Sequence, residues 1–553
     1  LVGLRGLSRV GVVVVVVALI AIGVLAFLLV MQRQAAPQPS IVTPISPARS
    51  PIPTPTTPAV SPTTPAITKK DTLKVAIGTD LDTVDPHSQT SIVVYNVLRH
   101  VYETLLWFDA RGNVIPWLAE RWEVSQDGLV YTFYLRKNIR FHDGSELNAT
   151  VVKANIDRWI DPTVRVPART LVGKIDRAEI VDRYTVRIYL KEPFGLFDKA
   201  IAYFIPITSL DVIKKFGNQT ITEVIGTGPY KFASWEKGKR VVLERNDDYW
   251  GPKPPIKRIE WLIIPEASTR LAALLAGDVD YIYAPPPPDL ERLRSDPRFE
   301  VITPTSNAYL HLSLIPRGPL ADPKVRQALN YAIDKEAIVK SVLFGLGVVA
   351  DSAVPPHFLG YSRMNPYGYD PEKAKQLLAE AGYSGGFKLL LIHPTGGSGF
   401  INDKGVAEAI QAYLSKIDVS VELKTMDWPS YIAELTKPLK DKQYDAILRL
   451  YGPAIADAHF ILYPLLHSSQ RDYPNINNYS NKEVDSLLDQ AAIERDPTKR
   501  AELYRRAIEI IWRDAPWVFI AAQKQFYAGV KDLKGIFIFP SGLQIYFYNA
   551  YFS

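Results

Sequence analysis

Three Asp-Pro pairs do the most to limit how this chain can fold. At Asp322-Pro323, Asp370-Pro371 and Asp496-Pro497, a carboxylate can accept from the unpaired N–H groups of a first helical turn. The proline that follows has no N–H to leave unpaired. Behind the first pair, Val325, Leu329, Ile333 and Ala337 recur every four residues. Behind the second, Ala374, Leu377, Leu378 and Ala381 form one stripe, stopped by Gly382. The third predicts a helix to about Trp512, ahead of Ala515-Pro516. Strand patterns alternate with these helices. Leu73–Ile77 is a short apolar run bounded by Gly78, and Tyr131, Phe133 and Leu135 alternate with outward positions. Thr185–Leu190, Arg240–Arg245 and Ile259–Ile264 read the same way. Interleaved strands and helices imply α/β layers, and a stretch from residue 71 to 553 exceeds what one core and one sheet can hold.

The first seventy residues differ in kind. Val10–Met31 is free of charge and would span roughly 33 Å as a helix, enough to cross a bilayer. Arg5 and Arg9 precede it, which predicts an N-terminal transmembrane helix with the body outside. A cleaved secretory signal peptide is the alternative. Residues 35–68 hold 10 Pro and 11 Ser/Thr, the composition of an extended linker with a reach of roughly 100 Å. The expected organisation is an anchor over 1–34, a Pro/Ser/Thr linker over 35–70 and a folded body tethered to the outer face of the membrane, or in a periplasm.

Composition removes several functions. The formal charge of +6 comes wholly from six basic residues in the first seventy, so the body is neutral and offers no argument for nucleic acid. The chain has no cysteine, which excludes disulfides, thiol catalysis and Cys-ligated metals. Its eight histidines include no pair at i, i+4 and no H-E-x-x-H, so no zinc site is expected. Gly226-Thr227-Gly228-Pro229-Tyr230 lacks the Lys-Ser/Thr of a phosphate loop and reads as a tight turn. Asp80, Asp82 and Asp85 cluster after the first strand, as a polar turn or as a calcium or substrate site. No catalytic constellation stands out.

Several segments, in order, resemble the extracellular solute-binding proteins of ABC importers, family 5. They are Leu73–Ala76 through Asp85-Pro86-His87; Tyr102–Leu106; Pro116–Glu120; Trp122–Gly128; Tyr131–Arg136 with Phe141–Gly144; Gly226–Tyr230; Arg245–Trp250; and Val325–Asp334. The resemblance implies a bilobed type II periplasmic-binding-protein fold with an extra domain. Lobe I would comprise 71–104, 225–307 and 526–553, the extra domain 105–224, and lobe II 308–525. It implies no enzyme and no cofactor. The expected function is capture of oligopeptides or dipeptides between the lobes and delivery to the permease subunits of an ABC importer. An oligosaccharide receptor of the same family is one alternative, and a secreted hydrolase on this architecture is another.

The resemblance also implies site residues. A first-lobe loop, here Ser88-Gln89-Thr90-Ser91, would offer hydroxyl and backbone contacts through Ser88, Thr90 and Ser91. A second-lobe segment, here Leu450–Phe460, would contribute Tyr451, Gly452, Asp457 and His459, with Asp457 meeting a peptide ammonium. Tyr309, Trp428 and Tyr451 are the rings that would stack on a sugar.

Overall fold

The computed structural model describes residues 70–88, 91–395 and 399–553 of the 553-residue chain. Thr72–Ile77 lies near the middle of a seven-stranded sheet, parallel to Arg258–Ile263 and Tyr281–Tyr283. Arg240–Arg245 and Tyr230–Glu236 extend it on one side, and Tyr527–Val530 and Phe299–Ile302 on the other. Leu73, Val75 and Ile77 pack with Leu243 and Trp261 on one face, while Ala76 packs with Leu271, Leu274 and Ile282 on the other. A strand covered on both faces reads as a continuous apolar run, which is why this segment shows no clean alternation.

A six-stranded sheet forms the second lobe. Trp517–Gln523, buried throughout, lies between Gly347–Val349 and Tyr309–Leu314. Ala446–Tyr451, Phe387–Thr395 and Val419–Asp427 follow in that order. The helices Pro323–Ala332, Pro371–Glu380 and Asp403–Ser415 cover one face through Val325, Leu329, Leu378 and Ile410. His459–Leu466, Lys482–Ile493 and Pro497–Asp514 cover the other. All three Asp caps form: Asp322 accepts from Lys324 N–H at 2.8 Å, Asp370 from Lys373 at 2.9 Å and Asp496 from Thr498 at 2.8 Å. The first helix stops sooner than its apolar stripe. Ile333 is extended (φ −103°, ψ 120°), and Asp334 begins a new turn by accepting from Ala337 N–H at 2.8 Å. A local capping bond there outweighs the periodicity.

A third, four-stranded antiparallel sheet runs Ala119–Val124, Val130–Leu135, Thr185–Leu190, Ile175–Asp182. It has its own core with Ala149–Ile160. Asp85 and Arg158 join it to the first lobe. Both are buried and pair at 2.7 Å, with Ile221 N–H also donating to Asp85 at 2.8 Å. Burial pushes the Asp85 carboxyl up, but Arg158 and its other partners hold it below the ordinary value. Gly226 and Gly228 serve this junction rather than a tight turn. A Cβ on Gly226 would lie 1.9 Å from Val101 O, and Gly228 N–H donates to that same oxygen at 2.9 Å.

The chain passes between the two large sheets twice, through 303–308 and 524–526. The crossings lie side by side, with Gln523 N–H donating to Ala308 O at 2.8 Å.

The N-terminal expectations are corrected. Among the described residues no helix is long and apolar enough to cross a membrane. The longest, Pro497–Asp514, carries Lys499, Arg500, Glu502, Arg505, Arg506, Glu509 and Arg513, and a span needs ~20 mostly apolar residues. Val10–Met31 and the linker lie outside the described residues. The transmembrane helix, the signal peptide, the membrane as a partner and the tethered location are therefore withdrawn.

Candidate functional site

A cavity of about 640 Å³ lies between the second lobe and a face built by the unit of the four-stranded sheet together with Thr305 and Phe539-Pro540 of the first lobe. Its first wall starts from the helix Phe197–Phe204. That helix buries Phe197, Ala200, Ile201, Ala202, Tyr203 and Phe204; Lys199 stays part-exposed, and it lines the cavity together with the nearly buried Tyr203 one turn on. Gln544 donates its amide to the Tyr203 hydroxyl. Phe539-Pro540 closes the same wall, on a turn that ends at Gly542. Gly542 has φ +65°, and a Cβ there would lie 1.9 Å from Thr305 O, so the turn can seat on the crossing strand only as glycine. Phe108 and Arg111 complete this side.

The opposite wall is His357-Phe358-Leu359 with Ala454-Ile455-Ala456. Leu359 N–H donates to Ala456 O at 3.2 Å and Ala458 N–H to Leu359 O at 3.0 Å, so the two segments hold one another. Asn307 donates its amide to Pro453 O at 2.7 Å, which turns its own oxygen to His357 Nε2 at 2.7 Å. His357 therefore carries its proton on Nε2, and Nδ1 is left as an acceptor with no partner among the described residues. Burial keeps this ring neutral, with its pKa down at about 4.

Asp457 lies directly behind this wall and is fully buried. Its Oδ2 is 3.3 Å from Arg500 and 3.5 Å from Lys199, and its Oδ1 accepts from His459 N–H at 3.2 Å. In this arrangement its charge is met from within the protein. His459 is buried among the rings of Phe194, Phe460 and Tyr463, and burial lowers its pKa to about 4. Tyr309 and Tyr451 face each other across neighbouring strands. The Tyr309 hydroxyl donates to Ser352 O. Gly452 admits Leu543, whose methyl would lie 3.1 Å from a Cβ there. Trp428 opens the helix Trp428–Leu435 and stacks on Tyr431, in a separate cluster. In the first-lobe loop, Ser88 donates to Arg165 O at 2.8 Å and Ser91 precedes the helix Ile92–Leu98. Thr90 lies outside the described residues. None of the eight described residues of this set lines the cavity itself.

Sequence reasoning missed Arg111, Lys199, Tyr203, His357 and Phe539. Only the neighbourhood of Ala454–Ala456 had a local signal. The acidic cluster after the first strand has structural work. Asp80 accepts from Trp235 Nε1 at 2.9 Å and from Gly238 N–H at 2.7 Å, and Asp85 is paired as above.

Two α/β lobes, joined by paired crossings around a cavity lined from both sides, with a small third sheet attached, define a bilobed solute receptor. The comparisons agree. A family profile described as "Bacterial extracellular solute-binding proteins, family 5 Middle" matches residues 113–473. The chain belongs to that family. It is 32% identical to the glutathione-binding protein GsiB of Escherichia coli K12 over 475 residues, 84% of this chain and 92% of that protein. Among solved structures, it resembles Helicobacter pylori DppA in complex with the peptide STSA: TM-score 0.77, 29% identity, 88% of this chain and 98% of that one. It also resembles a dipeptide-binding protein from Pseudoalteromonas sp. SM9913 in complex with Met-Leu: TM-score 0.79, 27% identity, 87% of this chain and all of that one. The fold is that of a non-catalytic binding protein.

Proposed function

We infer that the chain is the extracellular receptor of an ABC importer, which binds short peptides between its lobes and delivers them to the membrane permease. The observation that carries this is the cavity: about 640 Å³, lined by both lobes beside the two crossings, and within the usual range for small-ligand sites. A ligand touching both walls at once favours the arrangement in which they face each other. The peptide class is supported by what similar proteins bind: glutathione, the peptide STSA and Met-Leu.

Within this reading, lobe I is 71–104, 225–307 and 526–553, the extra domain is 105–224 and lobe II is 308–525. The crossings at 303–308 and 524–526 act as hinges. Within the expected second-lobe segment, Ala454–Ala456 serves as pocket wall, with Asp457 bracing it from behind.

Native mass spectrometry of the full chain, purified without refolding, tests the reading. A bound species that fragments into amino acids is the expected result. Hexose or pentose spacing would replace the peptide with an oligosaccharide. If the chain emerges empty, calorimetry against a panel of di- to pentapeptides decides, and no binding across the panel would overturn the proposal.

A further inference from the structure

We propose that the cavity selects peptides of net negative charge, with Lys199 and Arg111 as the residues that meet their carboxylates. The inference rests on the peptide reading and narrows it to acidic peptides.

The arrangement of charge about the cavity is one-sided. Arg111 and Lys199 line it, and no Asp or Glu does. Every Asp and Glu of the chain lies among the described residues, so no acidic group is left out of this count. Arg111 is exposed, and no carboxylate stands within ion-pair distance of its guanidinium among the described residues. Its neighbour Asp109 attracts it at longer range but spends its oxygens on other donors. It accepts from the backbone of Arg111 at 2.8 Å and of Asn113 at 2.9 Å, and from the Asn113 amide at 2.9 Å.

Lys199 is half-held. Its ammonium is 3.5 Å from Asp457, well beyond the ~2.7–2.9 Å of a strong charge-assisted bond, and it has three protons to donate. Asp457 also has Arg500 at 3.3 Å and no exposed surface, so it orients Lys199 from behind. Asp198, next to Lys199 on the helix, is attracted to Lys199 first and to Arg500 second, forms no direct ion pair with either among the described residues, and does not line the cavity. At Lys199 the carboxylates therefore stand behind the wall and the cation in front of it, and at Arg111 the neighbouring Asp109 is turned to backbone and Asn113 donors. An incoming ammonium would have to displace Lys199 to reach Asp457, whereas a carboxylate meets free donors.

A third cation reinforces the field. Arg99 is buried under Tyr203 and Phe539, with its guanidinium carbon 4.2 Å and 5.1 Å from those two ring centres. One nitrogen donates to Tyr203 O at 2.7 Å, and Nε has no partner. No carboxylate pairs with it among the described residues. Glu103, the buried acid of the same region, is bound by four neutral donors: Trp117, Thr227, Tyr249 and Trp250. Arg99 faces the cavity through a layer of aromatic rings, where charge is poorly screened.

Calorimetry on the full chain with Ala-Glu-Ala, Ala-Gln-Ala and Ala-Lys-Ala separates side-chain charge from the shared termini. The expected order is Glu over Gln by about tenfold or more, the size of one charge-assisted hydrogen bond, with Lys weakest. The Glu preference should fall as salt rises. Lys199→Met should collapse the Glu-to-Gln ratio toward one. Arg111→Gln, an exposed change that leaves the core alone, should reduce it as well. Equal binding of Glu and Gln peptides, a preference for Lys, or an unchanged ratio in both variants overturns the inference while leaving the peptide reading intact. If none of the three binds, the peptide reading falls and takes the charge preference with it.

Discussion

At the scale of the residue, Asp457 shows how a side chain's role depends on what already surrounds it. A buried ion pair contributes little net stability, but removing one member strands the other. Asp457→Ala would leave Arg500, which is 3% exposed, without its carboxylate. The expected loss is about 3–5 kcal/mol of unfolding free energy, read from urea denaturation. Unchanged stability together with lost peptide affinity would instead give Asp457 a direct part in holding the ligand. His357 makes the complementary point. Its tautomer follows from the chain Pro453–Asn307–His357, none of whose members is adjacent in sequence. No reading of His357 alone could have assigned its acceptor nitrogen to the pocket wall.

At the scale of the element, the sequence was most legible where a local bond and a periodic pattern agreed. The strands Thr185–Leu190 and Arg240–Arg245 match their expected bounds, and the three Asp-Pro caps all form. Legibility failed at Ile333, where the apolar spacing continued through a helix end set by Asp334. It also failed for Gly226 and Gly228, whose need for a bare Cα comes from the turn after the helix Ile92–Leu98, more than a hundred residues away. Gly195 is a similar case with a functional edge. It lies in the connection from Thr185–Leu190 to Phe197–Phe204 and donates to Ala492 O at 2.8 Å. A Cβ on Gly195 would stand 2.3 Å from Glu494 O, across from the second lobe. Arg495 donates back to Ser125 O at 3.3 Å. Gly195→Val should push the extra domain off the helix pair Lys482–Ile493 and Pro497–Asp514. The lobes should stand wider apart in small-angle scattering, and peptide affinity should fall by about tenfold, or ~1.4 kcal/mol, with the melting transition retained. Scattering and affinity both matching the parent would remove this contact from the closing mechanism.

At the scale of the whole molecule, the pocket was the least legible feature because it is assembled from Phe108, Lys199, His357, Ala454 and Phe539, which share no local pattern. The segment around Leu450–Phe460 was recognised, yet its polar residues turned inward and its small apolar ones formed the wall. Histidine burial is also a property of the whole. Burial holds His87, His142, His357 and His459 down at about 4 and His100 at about 3, whereas an unfolded imidazole titrates near ~6.5. Between those values the unfolded chain binds protons that the folded chain refuses, so stability is complete above about pH 6.5 and drains away as pH falls toward 4. Each ring contributes up to ~1.4 kcal/mol per pH unit inside that window. Urea midpoints at pH 7, 6 and 5 should therefore drop steeply, and a flat profile would contradict the buried, neutral assignment.

The Gly195 contact has one more effect. It is made by peptide backbone against peptide backbone, not by side chains that could adjust to what lies between the lobes. Such a contact leaves no slack for side chains to take up, so closure is expected to end at one angle whatever the cargo, which scattering with peptides of different length would check. A smaller peptide is then accommodated by water in the spare volume rather than by further closure. On that expectation the closed outline is the same from one ligand to the next, and a membrane partner could read a full receptor by its shape without reading its contents.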